Sequence, residues 1–531
     1  MLTGTNTTEN HPVISLGLKN AIKNGAKLIV VDPREIEITE YADIFMQQQP
    51  GTDVAWLNGM MNVIIEEGLY DKKYVKERTE EFEALKETVA KYTPKYVQKI
   101  TDIPADTLRE AARMYAKAPK AAILYSMGIT QHITGTDNVK SVANLAMRCG
   151  NVDIPGGGVN PLRGQNNVQS ACDMGALPNV FPGYQKVIDD KALAKFKKAW
   201  KIKKLDNKVG LTIGEMLEGA RSGKVKALYV FGENPMVSDP DLKHVEESFD
   251  ALDFMVVQDI FLTETAKKAD VVLPASAFAE KDGTFTNTER RVQLLHKAVE
   301  PPGEARQDWE IICDLATRMG YKMKYDDPSQ IMDEIAKVTP QYGGISYKRI
   351  AKNGLQWPCP DSKHKGTKFL HKDKFSRGKG LFHAIEYKPA DELPDKKYPI
   401  TLTTGRFLYQ FHTGTMTRKS RGLETLGGEA YIEINPTDAG KLKINDGDMV
   451  KVTSRRGKVT VKANVTKKMK KGVAFMPFHF AEAAANRLTN PVTDPTSKIP
   501  EYKVCAIKIE KVEDVKTTKP KTERKSAAAA S

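Results

Sequence analysis

The stretch His11–Arg34, HPVISLGLKNAIKNGAKLIVVDPR, carries the alternation of helix and strand that decides the fold of this chain. Its first half, Pro12–Asn24, has apolar residues at helical spacing, and Gly25 then favours the end of a helix. The run Lys27–Val31 is apolar, has the length of a strand and ends at an Asp-Pro pair. Because Met1–Asn6 reads like the end of a buried strand, the sequence predicts a strand–helix–strand unit whose first strand is cut off.

Apolar runs of strand length recur further along the chain, with turn residues such as Gly, Asn and Pro close behind them. The runs are Ala121–Tyr125, Ala227–Phe231, Phe254–Val257 and Ala269–Leu273. Continuous apolar strands that alternate with helices are typical of parallel sheets covered on both faces. The sequence therefore predicts an α/β fold with two parallel-sheet domains, at residues 1–165 and 166–277, and then a connecting or cap region at 278–397.

The pattern changes near Tyr398, where short strands and tight turns replace the alternation of helix and strand. The strands are Ile400–Thr403, Tyr431–Ile434, Met449–Val452 and Lys458–Val461. This pattern predicts a closed β-barrel domain at residues 398–513. The last stretch, residues 514–531, is rich in Lys and Thr, and we expect it to be a disordered tail.

The chain has 531 residues and a formal net charge of +14, which indicates an anionic partner or surface. No recognised nucleic-acid-binding motif accompanies the scattered lysines, so no nucleic acid partner is expected. No apolar stretch is long enough to span a bilayer, so no membrane span is expected either. The densest basic run, Lys195–Lys204, is either a solvated helix face or a docking patch for an acidic electron carrier, and both interpretations stay open.

The cysteines are few and lie far apart in the sequence. They are Cys149, Cys172, Cys313, Cys359 and Cys505. Neither C-x-x-C nor a ferredoxin-like spacing is present, which argues against an iron–sulfur cluster held by this chain alone. An odd, scattered set also argues against a disulfide framework and fits buried thiols in a reducing compartment, so we expect a cytoplasmic protein.

Polar residues follow the predicted parallel strands at the edge where α/β sheets bind ligands. They are Asn6, Asp32 with Arg34, Asn234 with Ser238, and Gln258. An acidic side chain there can bind ribose or guanine, and glycine-loop amides can hold pyrophosphate. For any single one of these residues, the pattern alone favours a loop cap or turn residue. No G-x-G-x-x-G fingerprint follows the strands, so a standard nicotinamide site is not supported.

The most informative loop is Gly156–Gly175, GGGVNPLRGQNNVQSACDMG, which is too long for an ordinary turn. So many Asn and Gln side chains around one Arg are costly to bury without partners. A loop that binds substrate and cofactor is one interpretation, in which Arg163 holds a small carboxylate with two parallel hydrogen bonds. A polar interdomain connection with Arg163 in a structural ion pair is the other, and the residues alone do not separate them.

The run Asn160–Gly175 resembles the hallmark of molybdenum- or tungsten-dependent formate dehydrogenases, in the wider family of bis-molybdopterin guanine dinucleotide oxidoreductases. Further segments are similar to that wider family in the same order. They are GTNTTENHP (4–12), VVDPR (30–34), GENP (232–235), VVQDIFLTETAKKADVVLP (256–274), GTFTNTERRVQ (283–293), TTGRFLYQFHTGTMTR (403–418) and INPTDAGKLKINDGDMVKVTSRRGKV (434–459). The resemblance covers nearly the whole chain. It implies the alpha, catalytic subunit and a barrel of the double-psi type.

The resemblance also implies roles for individual residues. Arg163 matches the arginine that binds and orients formate beside the metal. Contacts to one guanine dinucleotide are implied for Asn6, Asp32, Arg34, Gly51 and Asp53, and contacts to the other for Asn234, Ser238 and Gln258. The pterin cleft would be lined by Gln131, Gln165, Arg406, His412 and Asn486. One departure is Gln410, where many members have His, and His132 is expected to be structural rather than a proton acceptor.

In the family, a [4Fe–4S] domain and a cysteine or selenocysteine metal ligand precede the first strand–helix unit, and no counterpart occurs in this sequence. The resemblance therefore implies an N-terminally truncated chain with no metal ligand of its own and with the cluster in the missing region. The whole enzyme would oxidise formate to carbon dioxide and pass electrons to an acidic electron carrier or an iron–sulfur subunit. A catalytically silent cofactor-binding or scaffold protein, and a reductase of another oxyanion such as nitrate, are the alternatives.

Overall fold

The computed structural model describes residues 1–513, and the predicted disordered tail at 514–531 lies outside them. An α/β unit comes first, and its strands are β1 (Leu2–Thr3), β2 (Ile29–Val31), β3 (Ile44–Met46), β4 (Thr79–Glu80), β5 (Ala122–Tyr125) and β6 (Gly158–Pro161). Its helices are α1 (Thr7–Asn10), α2 (Pro12–Lys23), α3 (Asp53–Glu66), α4 (Lys72–Arg78), α5 (Phe82–Ala90), α6 (Pro94–Thr101), α7 (Ala105–Lys117), α8 (Met127–Thr130) and α9 (Gly135–Arg148).

Five of these strands form one parallel sheet in the order β3-β2-β1-β5-β6. Strand β1 is central, and Leu2 pairs with Val30 on one side and with Leu124 on the other. The chain builds outward from β1 in one direction through β2 and β3, and then continues on the other side with β5. The strand order therefore reverses between β1 and β5, and ligands of open parallel sheets bind at such a point.

Helix α3 forms the centre of the first core, because it is covered on all sides. The first twelve of its 14 residues are buried, and Trp56, Met60 and Met61 are fully shielded from solvent. It packs against α6, α7 and α9. Because neighbouring elements enclose α3, and its buried Asn58 and Asn62 donate to backbone carbonyls around it, the helix fixes the position of Asp53 at its first turn.

A second α/β unit follows. Its elements are α10 (Val168–Asp173), β7 (Val180–Phe181), β8 (Gln185–Lys186), α11 (Asp190–Ala199), α12 (Ile213–Arg221), β9 (Ala227–Phe231), α13 (Pro235–Ser238), α14 (Leu242–Asp250), β10 (Phe254–Asp259) and β11 (Val271–Pro274). Strands β9, β10 and β11 form a three-stranded parallel sheet with β10 in the middle. The side chains of Leu242, Val245 and Met255 are buried between this sheet and its helices.

The connecting region contains one small sheet, a further strand that pairs with the first unit, and three helices. Its elements are β12 (Gly283–Thr286), β13 (Arg291–Leu295), α15 (Asp308–Arg318), α16 (Pro328–Val338), α17 (Tyr347–Ile350), β14 (Leu355–Gln356) and β15 (Gly380–Leu381). Strands β12, β13 and β14 pair antiparallel, whereas β15 returns to β4 of the first unit.

A closed six-stranded barrel completes the described chain, with strand order β16-β20-β17-β19-β18-β21. Its elements are β16 (Ile400–Gly405), α18 (Arg421–Gly427), β17 (Tyr431–Ile434), α19 (Pro436–Leu442), β18 (Met449–Thr453), β19 (Lys458–Val465), β20 (Val473–Pro477) and β21 (Cys505–Lys511). In β19, Val459, Val461 and Ala463 are buried while Thr460 and Lys462 between them are exposed, as expected for a strand with one face in a core.

The predicted fold class is confirmed: the chain is α/β with parallel sheets followed by a closed β-barrel. The sequence analysis identified four of the barrel strands and missed β20 and β21. Both lie beside β16, and their pairing with it depends on closure of the barrel rather than on a local turn. Within residues 1–513, none of the helices combines the length and the apolar character needed to cross a membrane.

Candidate functional site

Two glycines bring the carboxyl ends of β1 and β5 into contact. The amide of Gly128 donates to the carbonyl of Gly4 at 3.0 Å. A Cβ on Gly4 would lie 2.6 Å from the carbonyl carbon of Gly128, and Gly4 also has a φ of +55°. Only glycine allows this close approach and this backbone conformation without strain. The loops after β1 and β5 are thus pressed together at the edge where a ligand is expected.

A cavity of about 380 Å³ opens above these loops, and all three large units contribute to its walls. We call it the central cleft. Most of the site residues predicted from the sequence line it. They are Asn6, Asp32, Arg34, Gly51, Asp53, Gln131, Gln165, Ser238, Arg406, His412 and Asn486.

Asn234 and Gln258 lie outside the lining of the central cleft, and their side chains already bind protein groups. The amide oxygen of Asn234 accepts hydrogen bonds from the backbone and the hydroxyl of Thr265, and its nitrogen donates to Glu264. Gln258 donates to Asp308 at 2.8 Å and accepts from the hydroxyl of Tyr229. Asn234 therefore ties the loops that follow β9 and β10, which is the loop-cap role that the sequence left open, whereas Gln258 ties β10 to β9 and to α15.

Arg34 and Glu433 join the first unit to the barrel across the cleft. The Nε and Nη2 atoms of Arg34 each donate to a carboxylate oxygen of Glu433 at 2.7 Å, and both side chains are buried. The guanidinium also lies over the ring of Phe475, 4.2 Å from its centroid. Arg34 is thus committed to a protein partner 399 residues away in sequence.

Asn486 connects the barrel to the second unit. Its side-chain nitrogen donates to the carbonyls of Val237 and Ser238, both at 2.9 Å. The side chain is buried, and an amide with these two acceptors has a fixed orientation. Asn486 and the predicted contact Ser238 are therefore brought together by tertiary structure.

Arg406 and Lys503 give the cleft its positive charge. Arg406 donates to the carbonyl of Gly164 at 2.7 Å, and burial lowers its pKa to about 10. Burial, and then the charge of Arg406, lower the pKa of Lys503 to about 7, although nearby Asp32 opposes the shift. The sequence analysis missed Lys503, because nothing in its sequence surroundings marks it and only the fold places it beside Arg406.

Acidic groups in the cleft have raised pKa values because they are buried. The pKa of Asp32 is about 6, and those of Asp53 and Asp239 are about 7, with burial as the largest cause in each case. Burial also lowers the pKa values of His132 and His412 to about 4, so both rings are neutral at pH 7. The cleft therefore combines positive charge with carboxyl groups that can be neutral, and such perturbed groups are typical of functional sites.

Several buried polar atoms in the cleft wall lack a hydrogen-bond partner among the described residues. They are Thr5 Oγ1, Asn6 Nδ2, Asn10 Oδ1, His11 Nδ1, Gln48 Oε1 and His132 Nδ1. Each such atom costs about 1–3 kcal/mol when nothing pairs with it. Donors and acceptors beside arginine and lysine fit a ligand with polar heterocyclic edges and anionic groups, and a pterin dinucleotide has both. The residues present thus fit the cofactor that the sequence resemblance implies.

Arg163 lies in a second, smaller cavity of about 200 Å³, which we call the arginine pocket. Gln165 lines both this pocket and the central cleft, so the two cavities adjoin. The Nε of Arg163 donates to Gln169 at 3.0 Å, and its carbonyl lies 2.8 Å from His11 Nε2. No carboxylate within residues 1–513 forms an ion pair with Arg163, which argues against the structural ion pair considered above.

The lack of a side chain at Gly164 allows the loop that carries Arg163 to contact the barrel. A Cβ at this position would lie 2.6 Å from Nη2 of Arg406. The arginine can reach the carbonyl of Gly164 only because no side chain stands between them. The loop that carries Arg163 and the barrel residue that points into the cleft are therefore fixed to each other.

Comparison with known proteins agrees with this arrangement. Residues 1–318 match the family model of the molybdopterin oxidoreductases, and residues 400–506 match that of the molydopterin dinucleotide binding domain. The F420-dependent formate dehydrogenase subunit alpha of Methanocaldococcus jannaschii is 57% identical over 517 residues, which are 96% of this chain and 76% of that protein. Formate dehydrogenase H of Escherichia coli is 43% identical over 518 residues, which are 96% of this chain and 72% of that protein.

A solved structure shows the same fold in a distant protein. Acetylene hydratase from Pelobacter acetylenicus superposes with a TM-score of 0.77 at 21% identity, over 96% of this chain and 77% of that one. At this identity the likeness concerns the fold alone. The family model that covers more than half of the chain, together with relatives at 43–57% identity, establishes kinship. The chain belongs to the molybdopterin oxidoreductase family and is homologous to the alpha subunits of formate dehydrogenases.

Proposed function

We propose that this chain oxidises formate to carbon dioxide with a bis-molybdopterin guanine dinucleotide cofactor that carries molybdenum or tungsten. The observation that carries the proposal is Arg163, whose guanidinium has no acidic partner within residues 1–513 and lies in a pocket that adjoins the central cleft. A guanidinium binds a carboxylate with two parallel hydrogen bonds. Three relatives at 43–57% identity are named formate dehydrogenases, which supports formate as the substrate.

The cofactor would lie in the central cleft. We propose that Asn6, Asp32, Gly51 and Asp53 hold one dinucleotide, with Arg34 fastened to Glu433 as part of the same wall. Ser238 would contact the other dinucleotide, and Asn234 and Gln258 stay predicted contacts although their amides already bind protein groups. The remaining predicted contacts would hold the pterin: Gln131, Gln165, Arg406, His412 and Asn486. When bound, the metal–pterin group supplies the two-electron redox chemistry.

The residues of this chain contribute charge and position. Arg163 attracts the formate anion and orients its carboxylate, so that the C–H bond faces the cleft that Gln165 shares with the pocket. Arg406 and Lys503 add positive potential beside it, which favours anionic ligands. Breaking the C–H bond gives carbon dioxide, two electrons and a proton.

The electrons would leave to an external acceptor through a [4Fe–4S] cluster carried outside the residues described here. The five cysteines are unpaired and scattered, and no cluster of three potential metal ligands occurs within residues 1–513. We propose an acidic electron-carrier protein or iron–sulfur subunit as the partner, and a cytoplasmic location. Helix α11 supports such docking, because its apolar side packs around the buried Phe196 while Lys191 and Lys198 are exposed. Three relatives are named F420-dependent, which makes coenzyme F420 the first acceptor to test.

The test begins with the metal and pterin content of the assembled enzyme that contains this chain. Formate and nitrate are then compared as substrates in the parent, in Arg163→Lys and in the control Arg318→Lys. Arg318 is a suitable control because it is exposed and lines neither the central cleft nor the arginine pocket. We expect molybdenum or tungsten, formate oxidation, and a loss in kcat/KM on the order of 100-fold in Arg163→Lys only. Nitrate reduction without formate oxidation would favour the oxyanion reductase. Bound cofactor without turnover of either substrate would favour the silent cofactor-binding protein.

A further inference from the structure

A buried carboxylate lies behind the arginine pocket. Asp173 is 1% exposed, and three side chains donate hydrogen bonds to it. Oδ1 accepts from Gln169 Nε2 and from the hydroxyl of Tyr184, both at 2.8 Å, and Oδ2 accepts from the hydroxyl of Tyr342 at 2.6 Å. Burial, and then the interaction with Asp173, raise the pKa values of both tyrosines, so they stay protonated and act as donors. Asp173 thus has the role of an acceptor only.

This carboxylate decides which way the amide of Gln169 faces. Gln169 and Asp173 are four residues apart on α10, so their side chains lie on one face of the helix. A carboxylate accepts hydrogen bonds and cannot donate them, so the nitrogen of the Gln169 amide must point toward Asp173. The amide oxygen is therefore turned the other way, and there it accepts the Nε proton of Arg163 at 3.0 Å.

The backbone around Arg163 is held as firmly as its side chain. Its amide donates to the hydroxyl of Thr288 at 3.1 Å, and that hydroxyl donates to the carbonyl of Pro161 at 2.7 Å. Its Nη atoms make no hydrogen bond to any described residue. Tyr184, which reaches Asp173, has a φ of +58°, a conformation that is rare for a bulky residue and persists only when its surroundings enforce it.

From these contacts we infer that Gln169 and Asp173 are positioning residues that orient Arg163 for the substrate without cancelling its charge. A carboxylate in contact with Arg163 would fix it equally well, but it would compete with an anionic substrate. The neutral amide of Gln169 separates the two charges, so that Asp173 sets the geometry while the guanidinium keeps its positive charge and both Nη groups can donate to formate. This inference rests on the proposed function of Arg163.

We call the hydrogen-bonded pair Gln169 and Asp173 the relay. The experiment replaces each of these two residues in the assembled enzyme. Gln169→Met keeps the length of the side chain and removes the acceptor for Arg163 Nε. Asp173→Asn keeps the shape but provides a single acceptor oxygen for three donors, which frees the Gln169 amide to turn. Tyr184→Phe removes one donor at a half-exposed position and serves if Asp173→Asn does not fold. The control is Gln330→Met, because Gln330 lies on the exposed side of α16 and donates to Asp326, four residues earlier and just before the helix.

Two readouts are compared. In steady-state kinetics, we expect the formate KM to rise about tenfold in Gln169→Met and Asp173→Asn and less in Tyr184→Phe, with kcat changed by less than about threefold. Independently of turnover, an arginine-specific dicarbonyl reagent is mapped onto Arg163 by mass spectrometry at increasing formate concentrations. The formate concentration that half-protects Arg163 should also rise about tenfold in the two relay variants and stay unchanged in Gln330→Met.

The two readouts distinguish failure of the positioning role from failure of the proposed function. Formate oxidation in the parent with unchanged KM and unchanged half-protection in both Gln169→Met and Asp173→Asn would overturn the positioning role and leave the proposed function intact. A parent that does not oxidise formate, but in which formate protects Arg163 in a manner weakened by Gln169→Met, would overturn the proposed function and support the relay. No protection of Arg163 in the parent would overturn both.

Discussion

Arg34 in the first α/β unit and Glu433 in the barrel form a buried bidentate ion pair, with both nitrogen–oxygen distances at 2.7 Å. The side chains are 9% and 3% exposed, so the pair lies away from water. The two residues are separated by 399 positions, and their contact crosses the wall of the central cleft. The shape of the cleft therefore depends on a contact that no local sequence pattern in either unit predicts.

Glu433→Gln is expected to destabilise the protein by about 3 kcal/mol, because the buried Arg34 loses its bidentate partner and keeps only Glu9, at 3.6 Å, as a counter-charge. Denaturant unfolding of the purified protein measures the effect. The matched control is Glu429→Gln, since Glu429 pairs with Lys462 at 3.4 Å on the surface and its loss should cost less than about 1 kcal/mol. Equal effects of the two substitutions would show that the buried pair is not a stabilising link.

Asp53→Asn should change the pH dependence of stability of the cofactor-free chain. Burial raises the pKa of Asp53 to about 7, so the folded state holds a proton that the unfolded state releases near pH 4. The favourable contribution is complete below about pH 4 and is lost as the pH rises toward 7. The melting temperature of Asp53→Asn should therefore match the parent near pH 4 and exceed it above pH 7. A constant difference at all pH values would contradict the raised pKa.

Lys503→Met tests a lowered pKa, in contrast to the raised pKa of Asp53. The pKa of Lys503 is lowered to about 7, whereas an unfolded lysine titrates near pH 10.4. Between these values the unfolded state binds more protons, so stability rises with pH from about 7 to 10. In the cofactor-free chain, Lys503→Met should raise the melting temperature at pH 6.5 and much less near pH 10. Lys471→Met, at an exposed position of the barrel, should show no such dependence.

Lys503→Met should weaken binding of the cofactor, although it stabilises the cofactor-free chain. An anionic ligand in the cleft stabilises the charged form of Lys503, so Lys503→Met should lower the retained pterin and metal per chain. Pterin fluorescence and elemental analysis after gel filtration measure the retention. Full retention in Lys503→Met would show that Lys503 does not face the anionic part of the ligand.

Gly164→Ala should weaken formate oxidation with little loss of overall stability. The added Cβ would lie 2.6 Å from Arg406 Nη2, so either the arginine or the loop with Arg163 must move. A displacement of about 1 Å can cost on the order of 100-fold in rate. The control is Gly440→Ala on α19, where a Cβ meets nothing within 4 Å. Unchanged kcat/KM in Gly164→Ala would mean that the loop tolerates the shift.

The sequence by itself determined the fold class and much of the cleft. Helical spacing ended by Gly25 predicted α2 nearly to the residue, because the pattern is local. The apolar runs before Asp32 and Gln258 predicted parallel strands for the same reason. Four of the six polar residues that follow the predicted parallel strands line the central cleft, since the ends of such strands meet at one edge of a sheet. The other seven predicted residues in its lining came from the family resemblance. Arg163 was singled out by the unusual polarity of its loop.

Only the tertiary structure decided how these local elements act together. Strands β20 and β21 depend on closure of the barrel, and the sequence alone did not reveal them. Lys503 becomes a cleft residue with a lowered pKa because folding buries it beside Arg406. Asp173 reaches Tyr342 across 169 residues of sequence and thereby orients Gln169 and Arg163. Periodicity and turn chemistry act over a few residues and can be read along the chain, whereas burial and charge depend on distances that exist only after the units have packed.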